Sequence, residues 1–176
     1  MIKHIVVDTS YLLEFYKIGG KETRKCWSEE GHKRVKEKFD EEDKLESRFY
    51  FPIPVLFEFA NHINDANNKQ KVLKCLMELI EKCQTLPNYT ITPCSDAEDM
   101  ESFMVDLIEI VNKFTNEFNQ KPLSLTNVSI IAEVQRLEKF FKNNKRMQKN
   151  NLKIHIWTKN RALKGKEPDE EENPFV

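Results

Sequence analysis

"HIVVDTSYLLEFYK" (residues 4–17) decides the fold. Its first half is short, apolar and β-branched, and it stops on a carboxylate, Asp8, which reads as a strand. Its second half reads as a helix opened by Thr9 or Ser10, residues whose side chains suit a helix start. The same alternation recurs outward from this stretch. "RFYFPIP" gives a second strand stopped by Pro52 and Pro54, because proline cannot donate to a ladder. "VLFEFANHINDA" continues as a helix, and "KQKVLKCLMELIEKC" places apolar residues at 72, 73, 76, 79, 80 and 83, a 3.6-residue period. "YTITP" (89–93) predicts a third strand and "KIHIW" (153–157) a fourth.

Between these strands lie three further helices. "SEEGHKRVKEKFDEEDKLESR" carries Val35, Phe39 and Leu45 among many charges, as a solvent-facing amphipathic helix does. "SDAEDMESFMVDLIEIVNKF" is helical in period, capped by Ser95 or Asp96. "LSLTNVSIIAEV" (123–134) offers Ser124 and Thr126 as caps, followed by a stripe at Ile130, Ile131, Val134 and Leu137. Strands separated by helices require crossovers, and crossovers build parallel sheets. The expected fold is α/β, a three-layer α/β/α sandwich with a central parallel sheet near 3–7, 49–52, 89–92 and 153–157. One domain over 1–166 is expected, followed by an extended acidic tail, 167–176, whose "NPFV" could dock Phe175.

A chain of 176 residues with formal net charge −1 is long enough to bury a sizeable core. No apolar run approaches transmembrane length, and "IKHIVVD" lacks a basic segment before a long apolar one. A cytoplasmic protein without a membrane partner is expected. Cys26, Cys75, Cys83 and Cys94 show no paired metal-ligand spacing, and Cys75 and Cys83 can share one helix face, which favours burial over metal or redox chemistry. Ten Lys or Arg and no acid lie between Lys139 and Lys166, before "EPDEEENPFV" turns acidic. Such a run is either a footprint for phosphate or a solvated helix end and loop, and charge alone does not choose.

Ligands of open α/β sheets bind beyond the carboxyl ends of the strands. Asp8 ends the first strand, Glu58 lies early in the helix after the second, Asn127 sits in the first turn of a later helix, and Thr158 and Asn160 follow the last strand. With four glycines in all and no Gly-rich phosphate motif, a nucleotide cradle is unsupported. A haloacid-dehalogenase-type site needs an acid where Ser10 stands, a receiver-type site lacks its paired acid, and no serine has a nucleophile elbow. What remains is a cluster of carboxylates and amides suited to a hard cation.

The segments "IVVDTSYLLEF", "FPIPVLFEFANHI", "LSLTNVSIIAE" and "IWTKNRAL" together resemble PIN-domain proteins, over essentially the whole chain. The resemblance implies a PIN-like sandwich that uses three or four acids to bind Mg²⁺ or Mn²⁺ and hydrolyse RNA phosphodiesters. Asp8 would be the central ligand and Glu58 a second. Thr9, Ser10, Ser124, Thr126 and Thr158 would cap turns or hold the carboxylates and waters. Lys159 and Arg161 flank Asn160 and could contact phosphate or be merely solvated. Many such proteins are bacterial toxins of toxin–antitoxin pairs, so the implied partners are RNA, an antitoxin-type protein, and a second copy in a homodimer.

The family has Asp where this chain has Asn127 and Asn160. At about 4 Å and an effective dielectric near 20, unit charges attract by roughly 4 kcal/mol, and a divalent ion by about twice that. Two neutral positions should therefore weaken metal binding by orders of magnitude. Three explanations stand: engineered silencing of a nuclease, natural degeneration into an RNA- or protein-binding module, or compensation by other acids. Asp106 and Glu109 are the candidates for compensation, though both read as solvent-facing. The chain as written is expected to be an impaired endoribonuclease or a non-catalytic module of the same fold. His62 shares a helix face with Glu58 but reads more simply as a surface or packing histidine. His155 and Trp157, at the last strand, read as structural.

Overall fold

A computed structural model of the chain describes residues 2–19, 27–92, 108, 111–112, 124–144, 152–169 and 171. The predicted helix at 95–114 lies mostly outside them, as do Cys26, Cys94, Asp106, Glu109 and Phe175. Four strands form one sheet: β1 (Lys3–Val7), β2 (Arg48–Pro52), β3 (Tyr89–Thr92) and β4 (Lys153–Trp157). Their order is β3-β2-β1-β4 and every pairing is parallel. The register aligns Ile5 with Phe49 and His155, and Phe49 with Tyr89. The strands are those the apolar runs predict, because each stops at the polar residue or proline that ends its run.

The helices are α1 (Thr9–Phe15), α2 (Glu29–Lys44), α3 (Ile53–Asp65), α4 (Lys69–Thr85), α5 (Leu125–Asn143) and the short α6 (Arg161–Lys164). Steps from β1 to β2 and from β2 to β3 move one way across the sheet, whereas the return to β4 moves the other way. Right-handed crossovers therefore put α1, α2 and α4 on one face and α5 on the opposite face. Ring contacts agree. Phe39 of α2 stacks on Phe49 and meets Trp157 edge-on, Tyr11 of α1 stacks on Trp157, and Lys82 of α4 lies over Tyr89. On the other face, Phe141 near the end of α5 packs edge-on against His4. The fold is the expected three-layer α/β/α sandwich.

Both faces are dry. Ile5, Val6, Val7, Phe49, Phe51, Ile156 and Trp157 are fully buried, which suits a parallel sheet covered on both sides. The α5 stripe of Ile130, Ile131, Val134 and Leu137 is buried as its period predicts. His4 shares a hydrogen bond with Tyr50 at 2.8 Å, and burial, with Arg48 adding to it, pushes its imidazole down to about 4. Two expectations need correction. Leu45 falls just beyond α2 and Leu73 on the outer flank of α4, and both are exposed. Cys75 is buried and Cys83 half-buried, both as free thiols.

The acidic segment after α6 does not trail away from the sheet. β4 is an edge strand, and its outward N–H groups at Ile154 and Ile156 donate to the carboxylates of Asp169 (2.8 Å) and Glu167 (2.9 Å). Lys164 completes the imitation of a fifth strand by donating to the Ile156 carbonyl at 3.2 Å while bridging Glu167 at 2.7 Å. Glu171 receives the Trp157 indole N–H at 2.9 Å and pairs with Lys3 and Lys38. His155 Nδ1 lies 3.1 Å from the Asp169 carbonyl, consistent with the structural role expected of it. In sequence these acids look like a solvated run, because the cations and N–H groups they meet lie elsewhere in the chain.

Candidate functional site

At the carboxyl end of β1 the chain turns into α1 through Asp8, which is the N-cap by backbone conformation. Thr9 and Ser10, the caps expected from sequence, already lie inside the helix. The Asp8 side chain makes no capping bond. Its Oδ2 instead accepts from Ser10 Oγ at 2.5 Å and from Thr158 Oγ1 at 2.7 Å. Asp8 is 5 % exposed and Thr158 1 %. A buried carboxylate loses hydration that only hydrogen bonds can replace, and two hydroxyls supply them here, one from the next turn of chain and one from 150 residues away.

Three bonds extend the cluster. Thr9 Oγ1 donates toward Glu58 Oε2 at 3.0 Å, tying the second predicted acid to the residue beside Asp8. Glu58 is half-buried on the second turn of α3, whose early proline suits a helix start following β2. Lys159 N donates to Ser10 Oγ at 3.0 Å, and Asn160 N donates to Thr158 Oγ1 at 2.9 Å. Asp8, Ser10, Thr158, Lys159 and Asn160 thus form one hydrogen-bonded network at one edge of the sheet, and the Thr9–Glu58 pair adjoins it through the main chain.

The first turn of α5, which carries half-buried Asn127, is directed toward the same edge by another route. The end of α5 packs near the start of β1 through Phe141 and His4, so α5 runs against the strand direction and its first turn lies at their carboxyl ends. Ser124 is the N-cap, accepting from Asn127 N at 3.2 Å, as a serine before a helix should. Thr126, half-buried, is engaged through its carbonyl, which accepts from Ser129 Oγ at 2.7 Å. Asn160 is engaged as the N-cap of α6, where its Oδ1 accepts from Ala162 N at 3.0 Å and Leu163 N at 3.4 Å. Arg161 is exposed.

Lys159 is not simply solvated. Its ammonium pairs with Glu14 Oε2, and Glu14 is fully buried. Sequence reading passed over Glu14 because it sits in the apolar stretch "YLLEFYK". The overlooked signal was a carboxylate two turns beyond Asp8 with no apolar reason to be there.

Mg²⁺ or Mn²⁺ would need several charged oxygen ligands in one place. Among the described residues no group of three or more Asp, Glu, His or Cys could hold a metal ion. Asp8 and Glu58 supply two carboxylates, while Asn160 has turned its one side-chain oxygen to its own helix. The residues present do not fit a charge-rich metal centre. No family model matches the chain, and no curated protein is detectably similar to it.

Proposed function

We propose that this chain has the architecture of a PIN-type, divalent-metal-dependent endoribonuclease for RNA phosphodiesters, with a hydrolytic centre impaired by Asn127 and Asn160. The observation that supports it most is Asp8. A carboxylate nearly removed from water, at the carboxyl end of a central parallel strand and fixed by two hydroxyls, is costly unless it has work to do. Thr9, the main-chain neighbour of Asp8, holds Glu58 and so adds the second acid. Acids held by hydroxyls support this reading, but the charge is half of what the pattern needs.

What the residues can do as they stand is bind and orient. Asp8 and Glu58 offer oxygen acceptors, and Arg161 offers an exposed guanidinium at the mouth of the same edge for a phosphate. On this reading the partners are RNA and, as for toxin–antitoxin nucleases, an antitoxin-type protein, with a homodimer as the assembly and the cytoplasm as the compartment. Among the described residues no helix is long and apolar enough to cross a membrane.

The test is cleavage of a mixed RNA pool in Mn²⁺ by this chain and by Asn127→Asp/Asn160→Asp. The restored protein should cut at least about a hundredfold faster, the scale of two lost charge contacts. A restored protein that cuts nothing defeats the enzyme reading. The use of Asn160 as a helix cap favours a second reading, a non-catalytic module of the same fold that binds RNA. That reading predicts salt-sensitive RNA binding by both proteins with no cleavage by either.

A further inference from the structure

We propose that Glu14 is a positioning residue for the candidate site, acting on Asp8 through Lys159. A continuous line of contacts runs from the N-terminus of α2 to the Asp8 carboxylate. Glu14 Oε1 accepts from Ser28 N at 2.8 Å, where the first N–H groups of α2 lack helical partners. Its Oε2 pairs with the Lys159 ammonium. The Lys159 backbone N–H donates to Ser10 Oγ at 3.0 Å, and Ser10 Oγ donates to Asp8 Oδ2 at 2.5 Å. Lys159 is therefore held at both ends, its ammonium by Glu14 and its amide by the hydroxyl that serves Asp8.

The surroundings are shaped to admit this carboxylate. Gly31, in the first turn of α2, faces Glu14 so closely that a Cβ there would lie 2.1 Å from Glu14 Oε1. A side chain at position 31 and a carboxylate at Glu14 cannot coexist without one of them moving. The Glu14 main chain is fixed as well, since its carbonyl lies 3.1 Å from His32 Nδ1. A fully buried carboxylate is costly, and removing one partner of a buried ion pair leaves the other uncompensated. Here the cost is met by the α2 N-terminus on one oxygen and Lys159 on the other, which couples α2 to the loop after β4. Lys159, which from sequence could contact phosphate or be merely solvated, instead has its charge directed inward onto Glu14, leaving Arg161 as the exposed cation beside Asn160.

Capping and positioning are separable, because a glutamine at position 14 can still accept from Ser28 N but cannot pair with a cation. Amide hydrogen exchange on the full chain reads the difference, with Glu14→Gln and Gly31→Ala as independent ways to break the line. The Lys159 and Asn160 amides should each lose about tenfold or more of their protection in both variants, while the Val6 and His155 ladder amides stay within about twofold. Unchanged Lys159 protection in either variant, with the fold intact by circular dichroism, overturns the proposal.

That Asp8 matters to RNA cleavage rests on the preceding reading. In the Asn127→Asp/Asn160→Asp background, Glu14→Gln should therefore lower kcat about ten- to a hundredfold with little change in KM. If the restored parent is inactive, the nuclease reading fails while the exchange result still decides the role of Glu14. An active parent whose kcat ignores Glu14→Gln overturns the proposal.

Discussion

Replacing Thr158 by valine removes a single hydroxyl from the centre of the polar network and leaves its shape almost unchanged. That hydroxyl donates to Asp8 Oδ2 at 2.7 Å and accepts from Asn160 N at 2.9 Å, in a side chain that is 1 % exposed. A hydrogen bond to a charged group contributes about 1.5–3 kcal/mol, and the Asn160 N–H left without an acceptor costs roughly 1 kcal/mol more. The added methyl returns about 0.8 kcal/mol of apolar burial. Ser10 remains on Asp8, so the carboxylate is weakened rather than abandoned. The net destabilisation is about 2.5 kcal/mol, or roughly 5–10 °C in Tm for a domain of this size. Urea unfolding and thermal melting of Thr158→Val beside Thr158→Ser make the test. Serine keeps the hydroxyl and loses only a methyl, so it should fall by about 1 kcal/mol. A valine variant within 0.5 kcal/mol of the parent, or a serine variant less stable than valine, would refute the reasoning.

Glu46 closes α2 with a left-handed φ of 57°, so Glu46→Gly should raise stability by about 1 kcal/mol in urea unfolding. His4 is held down to about 4 by burial, so its contribution is full above its ordinary value of 6.5 and lost as pH falls from there through 4. Unfolding free energy measured against pH should drop by about 3 kcal/mol across that window, and His4→Gln should flatten the drop. Glu171, held down to about 2 despite its burial by Lys3 and Lys38, contributes above its ordinary 4.5 and loses that stability between 4.5 and 2; Glu171→Gln should remove this acid limb. Restoring Asp at 127 and 160 should lower Tm in metal-free buffer, where carboxylates repel, and raise it when Mn²⁺ is added. An equal Mn²⁺ gain in the unaltered chain would show that these residues are not at a metal site.

The sheet was legible because each strand is a short apolar run with a hard stop: Asp8 after Val7, Pro52 and Pro54 after Phe51, Thr158 after Trp157. The α5 stripe was legible because a wide buried face imposes its period. Leu73 misled because periodicity shows which residues share a face but not how far the covered face extends. At the site, Asp8, Thr158 and Ser10 could be placed together because parallel topology sends strand ends to one edge. What Asn160 does could not be read, since a short amide before a four-residue helix serves as a cap or as a ligand with equal ease. Glu14 and the acids at 167, 169 and 171 were missed for a shared reason. A carboxylate's role is fixed by its partner, and Lys159, Lys164, Lys3 and the β4 amides are matched to them only by the folded chain.

The carboxylates that cover β4 also govern how the sheet meets other chains. Asp169 reaches back 15 residues to Ile154, and Glu167 reaches back 11 to Ile156. Loops this short close in well under a microsecond, so β4 has its cover almost as soon as it docks. A bare edge strand is a template for a neighbouring chain, and these acids remove that template by taking its N–H groups. Glu167→Ala with Asp169→Ala should thus lower soluble yield more than Glu37→Ala, which removes a carboxylate from the exposed side of α2.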